Sequence, residues 1–87
     1  MEIATKEIRS NRNLTIKDLN FLRKNCADIF NYTPGTFEFF KKQQNDKEYI
    51  KKVIAEAKKD ILLFRDTKDK VILIRRLQEI KFLNYLL

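Results

Sequence analysis

The sequence predicts an all-α fold, a small compact bundle of three to four helices. Apolar residues recur every three or four positions over long stretches, which places them on one side of a helix. Residues that commonly cap helices precede these stretches. Glycine and proline, which interrupt helices, occur once each, at Pro34 and Gly35. We expect residues 1–87 to form a single helical domain, with residues 1–13 an N-terminal arm or a short helix.

The first well-marked helix is predicted to begin at Thr15. Thr15 followed three residues later by Asp18 is a capping pattern, and Leu14 and Leu19 occupy the staple positions on either side of it. Apolar residues then recur at helical spacing as far as about residue 31, and they are Leu19, Leu22, Cys26 and Ile29.

Residues 31–35 form the strongest break in the helical pattern. Thr33, with proline after it, is typical of a helix start, so a short helix is predicted from there to about Gln44. Asn45 with Glu48 three residues later marks the start of a longer helix. Its apolar face is formed by Ile50, Val53, Ile54, Ala57, Ile61 and Phe64.

The last segment, 70–87, follows a polar and cap-like stretch at 66–69, where a break is predicted, although one continuous helix is the alternative. Its apolar residues surround the helix axis, so the helix must be covered on several sides. It is either the central helix of the bundle or an interface with another chain. In the second case the contact residues are Phe82, Tyr85, Leu86 and Leu87. A strand over 71–74 is a minority alternative.

The chain is basic, with 19 Lys and Arg against 12 Asp and Glu and a formal net charge of +7. On the longest helix, four cations fall within about 40° of one another at 100° per residue. Such a row suits phosphate contacts along a nucleic acid, whereas the alternative is an ordinary solvated helix face. The predicted nucleic-acid-binding residues are Lys47, Lys51, Lys58 and Arg65, extended by Lys41 and Lys42.

Aromatic residues stand directly before two of these lysines. Phe37 and Phe40 share a side of the predicted short helix and are expected in the core, whereas Phe39 points elsewhere. Phe39 or Tyr32 could stack on bases, as aromatics do in proteins that bind single strands, although packing is the more common role of such residues.

Residues for catalysis are scarce. The chain has no His and only one Ser, one Cys and one Gly, which excludes the usual sets for acyl transfer, zinc ligation and phosphate cradling. Asp69 with Glu79 and Lys81 resembles the pattern of restriction-endonuclease-like nucleases, but that family places these residues on strands and Glu79 falls in a predicted helix. We therefore expect no enzyme activity, no catalytic residues, no cofactor and no metal site.

Two functional hypotheses remain open. The first is a non-enzymatic basic helical protein that docks on nucleic acid or on a nucleoprotein complex. The alternative is a small inhibitor or regulator of the type that phages and plasmids encode, acting by protein contact through its C-terminal helix, alone or as a homodimer. A single Cys, expected to pack in the core at Cys26, fits an intracellular and cytoplasmic protein. The sequence contains no predicted signal peptide or membrane span.

Overall fold

A computed structural model of the chain describes residues 14–87, which form helices and no strand. The prediction of an all-α bundle is confirmed. Residues 1–13, predicted to be an arm or a short helix, lie outside the described residues. The described helices are α1 (Ile16–Asn25), α2 (Ala27–Phe30), α3 (Pro34–Lys42), α4 (Lys47–Phe64) and α5 (Lys70–Leu86).

The first predicted helix is divided in two at Cys26, whose backbone leaves helical geometry at φ −132° and ψ 28°. The break is held by Gln78, which is distant in sequence and lies on α5. The Ile29 N–H donates to Oε1 of Gln78 at 3.2 Å, and the Cys26 thiol donates to the Gln78 carbonyl at 3.4 Å. Polar backbone groups exposed by the break are therefore satisfied inside the protein. As expected, Cys26 is buried.

The predicted helix starts are close to those observed. Thr15 and Asp18 form a reciprocal capping box, with both hydrogen bonds at 3.1 Å. Asp46 caps α4 by accepting from the Tyr49 N–H, one residue after the predicted start. Asp69 caps α5, which confirms the break after α4 and shows that the strand alternative for 71–74 was wrong.

Helix α5 is the central helix of the described bundle, because it packs against each of the other four helices. Phe82 is 0% exposed and meets Phe37 of α3 edge-on, with ring centroids 5.2 Å apart. Phe21 of α1 packs on the same aromatic group. The buried apolar cluster comprises Leu14, Leu22, Cys26, Ile29, Phe30, Phe37, Phe40, Ile50, Ile54, Phe82 and Leu83.

The side of α5 that was predicted to meet a partner faces the bundle instead. Phe82 is wholly buried, and Tyr85 and Leu86 are half-buried against the same core, while Leu87 is exposed. The assignment of Phe82 to an interface was therefore wrong. The cause is physical: a helix that is apolar all round offers no sequence signal for which side the bundle covers.

We predict that Phe82→Ala lowers the free energy of unfolding by about 3–5 kcal/mol, because it removes a large side chain from a closed core. Leu63→Ala on α4, where the side chain is 75% exposed, serves as the control. That change should cost about 1 kcal/mol or less. Urea unfolding followed by circular dichroism measures both, and equal small losses would show that Phe82 is not a core residue.

Candidate nucleic-acid interface

The basic edge of α4, defined here as Lys47, Lys51, Lys58 and Arg65, lies beside the buried face of the helix, which positions it. Burial of Ile50, Ile54 and Ala57 against the bundle fixes the rotation of α4 about its axis. All four cations of the basic edge are exposed. At a rise of 1.5 Å per residue they span about 27 Å. The row that the sequence predicts is therefore present on the surface.

The charge of the basic edge is largely unneutralised. Lys51 and Lys58 make no ion pair with any carboxylate among residues 14–87. Arg65 lies 3.8 Å from the exposed carboxylate of Asp66, which is too far for a hydrogen bond. Lys47 is the exception, because its Nζ donates to the backbone oxygen of Leu87 at 3.2 Å.

Of the two lysines predicted to extend the row, the structure supports only Lys42, which is exposed. The side chain of Lys41 is 19% exposed, and its Nζ lies 3.0 Å from Oδ2 of Asp18. A cation that is paired with a buried carboxylate is not available to a phosphate. The assignment of Lys41 to the nucleic-acid-binding residues is therefore corrected to a structural role.

Asp18 is 2% exposed and joins three helices. Besides Lys41 of α3, it accepts from the Tyr85 hydroxyl of α5 at 2.9 Å and from the Thr15 N–H at 3.1 Å. Burial alone would raise the pKa of Asp18, but the hydrogen bonds from Lys41, Thr15 and Tyr85 outweigh it and hold the pKa below the ordinary value. Burial and the neighbouring carboxylate raise the pKa of Tyr85.

The residues of the nuclease-like pattern are used for other contacts. Asp69 caps α5. Glu79 is buried and accepts from Arg76 at 2.8 Å, while Arg76 also binds Asp60 of α4 at 3.0 Å. Within residues 14–87 no group of three or more potential metal ligands is found. The contacts of Arg76 with Asp60 and Glu79 therefore join α4 to α5.

The aromatic candidates do not lie on the basic edge. Phe39 is about half-exposed and packs edge-on against Tyr49, with ring centroids 6.2 Å apart. Tyr32 is exposed at the link between α2 and α3. Phe37 and Phe40 are buried, as expected from their shared side. The neighbours of the basic edge are therefore aliphatic, such as Leu62. The edge can contact phosphates, but it has no aromatic side chain on which a base could stack.

One surface was missed by sequence reasoning. In the first half of α5, Val71 and Ile74 are exposed and line a cavity of about 320 Å³, and Leu77, one turn further along the helix, is also exposed. The sequence did contain a signal for an exposed apolar surface, because α5 is apolar on every side and one small bundle cannot cover every side of a helix. The cavity is lined by Asp28, Ile29, Tyr32, Thr33, Val71, Ile74 and Arg75.

Comparison with family models, with curated proteins and with solved structures finds no match for this chain. Among residues 14–87, no helix combines the length and apolar character that crossing a bilayer requires.

We predict that Lys41→Gln and Lys42→Gln have unequal effects on stability. Lys41→Gln leaves the Asp18 carboxylate buried without its cation and should lower the free energy of unfolding by about 2 kcal/mol or more. Lys42→Gln, an exposed change, should cost less than about 0.5 kcal/mol. Denaturant titrations near neutral pH give both values, and equal effects would contradict the distinction.

The ion pair between Asp18 and Lys41 also predicts how stability depends on pH. Because the folded pKa of Asp18 is lowered, its stabilisation is complete above the ordinary carboxyl value and is lost as the pH falls through the folded pKa. Removing Lys41 weakens the effect that lowers this pKa. The acid-unfolding midpoint of Lys41→Gln should therefore lie at higher pH than that of the wild type, and that of Lys42→Gln should not.

Proposed function

We propose that this chain is a non-enzymatic, basic helical binding protein that docks on nucleic acid, or on a nucleoprotein complex, through the basic edge of α4. The observation that carries the proposal is the alignment of exposed cations, two of which, Lys51 and Lys58, have no ion-pair partner among the described residues. The helix that carries them is held in place by the core.

Phosphate contacts would supply the affinity. Each cation that neutralises a phosphate releases condensed counterions, so the binding constant falls as the salt concentration rises, with a log–log slope of about −0.9 per contact on duplex DNA. Four contacts give a slope of roughly −3.6. Ala55 and Leu62, which lie beside the basic edge, offer no hydrogen bonds to base edges. We therefore expect binding that depends strongly on salt and little on base sequence.

The simpler alternative is that the basic edge is an ordinary solvated helix face. On such a face, neighbouring acidic residues are expected to pair with the cations. Glu48 precedes Lys52 by four residues, the spacing of a helical ion pair, yet the described structure contains no such pair. Other carboxylates, including Asp18, Asp60 and Glu79, are engaged within the bundle. The cations of α4 thus lack the local compensation expected of a purely solvating face.

The second hypothesis, a protein-binding inhibitor acting through the C-terminal helix, loses Phe82 as its contact residue because that side chain is buried. Protein contact through α5 is favoured at a different place. There Val71, Ile74 and Leu77 are exposed on the first half of the helix.

We predict that Lys51→Gln with Lys58→Gln weakens binding to duplex DNA or RNA at low salt and reduces the log–log salt slope by about 2, because two phosphate contacts are lost. The control is Lys52→Gln with Lys59→Gln. These residues are the immediate neighbours on the same helix and are likewise exposed. The change removes the same charge, but at positions about 100° away around the helix axis.

Fluorescence anisotropy with labelled duplexes over a range of salt concentrations measures both slopes. The control pair should lose some affinity through the general change in net charge while the slope remains close to that of the wild type. Identical slopes in the two double variants would remove the basic edge from the binding mechanism. Circular dichroism on both variants establishes that the bundle is intact.

A further inference from the structure

The first half of α5 forms one wall of an apolar groove, and α2 together with its link to α3 forms the other. We call this feature the α5 groove. Its cavity of about 320 Å³ is lined mainly by apolar side chains, including Ile29 on one wall and Val71 and Ile74 on the other. Val71 is 61% exposed and Ile74 is 37% exposed. Later along α5 the same helix is closed by the core, so the opening is confined to this end.

The exposed apolar residues at the α5 groove are adjacent and form a ridge. Val71, Ile74 and Leu77 are three residues apart, which puts them on neighbouring turns of one helix, and Tyr32 is 84% exposed across the groove. Single exposed apolar residues are ordinary on protein surfaces, whereas a contiguous group beside a concave site marks a contact surface. The ridge and the groove are therefore interpreted together, as parts of one contact surface.

We propose that the α5 groove is the self-association surface of this protein, and that its occupant is the Val71–Ile74–Leu77 ridge of a second copy. In a two-fold symmetric dimer the same patch is used by both subunits, so it must contain both a recess and the projection that fills it. The α5 groove meets this requirement, because the recess and the ridge share residues of a single helix.

The charges at the α5 groove are also consistent with a two-fold symmetric dimer. Asp28 lines one wall, where its Oδ2 accepts from Nε2 of Gln78 at 3.2 Å and its other oxygen remains for a second contact, and Arg75 lines the other wall, so the patch carries one charge of each sign. Arg75 makes no ion pair with a carboxylate of residues 14–87. Around a two-fold axis each Arg75 can lie opposite Asp28 of the second copy, and both pairs form together. Two like patches are then attractive despite the positive net charge of each chain.

The other classes of occupant fit less well. A nucleic acid would bring phosphates to walls that are almost wholly apolar, where they would find one arginine and be repelled by Asp28. The patch also offers only four exposed apolar or aromatic side chains, Tyr32, Val71, Ile74 and Leu77, whereas stable interfaces commonly involve about 20–30 residues on each partner. We therefore expect a reversible dimer with a dissociation constant on the order of micromolar, not an obligate one. The inference does not depend on nucleic-acid binding.

The first test is analytical ultracentrifugation of the full chain over a range of protein concentrations. The wild type should shift from monomer to dimer as the concentration rises. Ile74→Asp, which places a charge in the contact, should raise the dissociation constant by roughly a hundredfold. Leu63→Asp is the control, because Leu63 is 75% exposed on α4 and does not line the cavity; it should leave the constant within about twofold.

The second test uses charge exchange. Arg75→Glu alone and Asp28→Lys alone should each weaken self-association, since each homodimer then contains two like-charged contacts. Mixing the two variants should restore dimers, because both contacts in the mixed dimer again join opposite charges. Mass-tagged chains identify this heterodimer, and circular dichroism establishes that each variant is folded. This rescue is specific to a second copy as the occupant.

The proposal would be overturned if the wild type remained monomeric at every accessible concentration, whether or not the groove captured a peptide or another protein. It would also be overturned if Leu63→Asp disrupted the dimer as strongly as Ile74→Asp. Failure of the mixed charge variants to associate, with both of them folded, would contradict the pairing of Arg75 with Asp28 and with it the two-fold arrangement.

Discussion

Burial of the second half of α5 by the other helices is the contact on which the rest of the structure depends. An 87-residue chain buries a modest fraction of its surface, so a single central helix must supply much of the core. Phe82 and Leu83 are completely buried there, and Gln78 of the same helix holds the break between α1 and α2. Because α4 packs along α5, this contact also fixes which edge of α4 faces solvent.

Charge is distributed unequally between the interior contacts and the surface. Asp18 is paired with Lys41, and Glu79 with Arg76, so these carboxylates join helices to one another. A carboxylate removed from water requires such partners, because an unpaired buried charge is costly. Lys51 and Lys58 of the basic edge make no ion pair within the described bundle. The packing that folds the chain therefore leaves these cations exposed, where they can contact phosphates as proposed.

Local patterns predicted the parts of the fold that are determined locally. The cap at Thr15, the break near Pro34 and the exposed edge of α4 follow from spacing over a few residues, and a one-sided apolar face sets the rotation of α4. The break at Cys26 could not be predicted, because it is held by a residue about fifty positions later, with the Ile29 N–H bonded to Gln78.

Two further errors have the same origin in distant contacts. Lys41 was assigned to the surface because its partner, Asp18, belongs to another helix and the sequence does not show that they meet. The rotation of α5 could not be read because its apolar residues surround the axis, so that Phe82 and Leu77 looked equivalent. Burial separates them, with Phe82 in the core and Leu77 at 50% exposure.

The central claim is that the basic edge of α4, and not the general positive charge, contacts nucleic acid. Lysine acetylation followed by mass spectrometry, with and without a saturating duplex at low salt, tests it residue by residue. The account predicts that Lys51 and Lys58 are protected from acetylation by the duplex, while Lys52 and Lys59 react as in the free protein. Equal protection of all four lysines, or protection of none, would contradict the account.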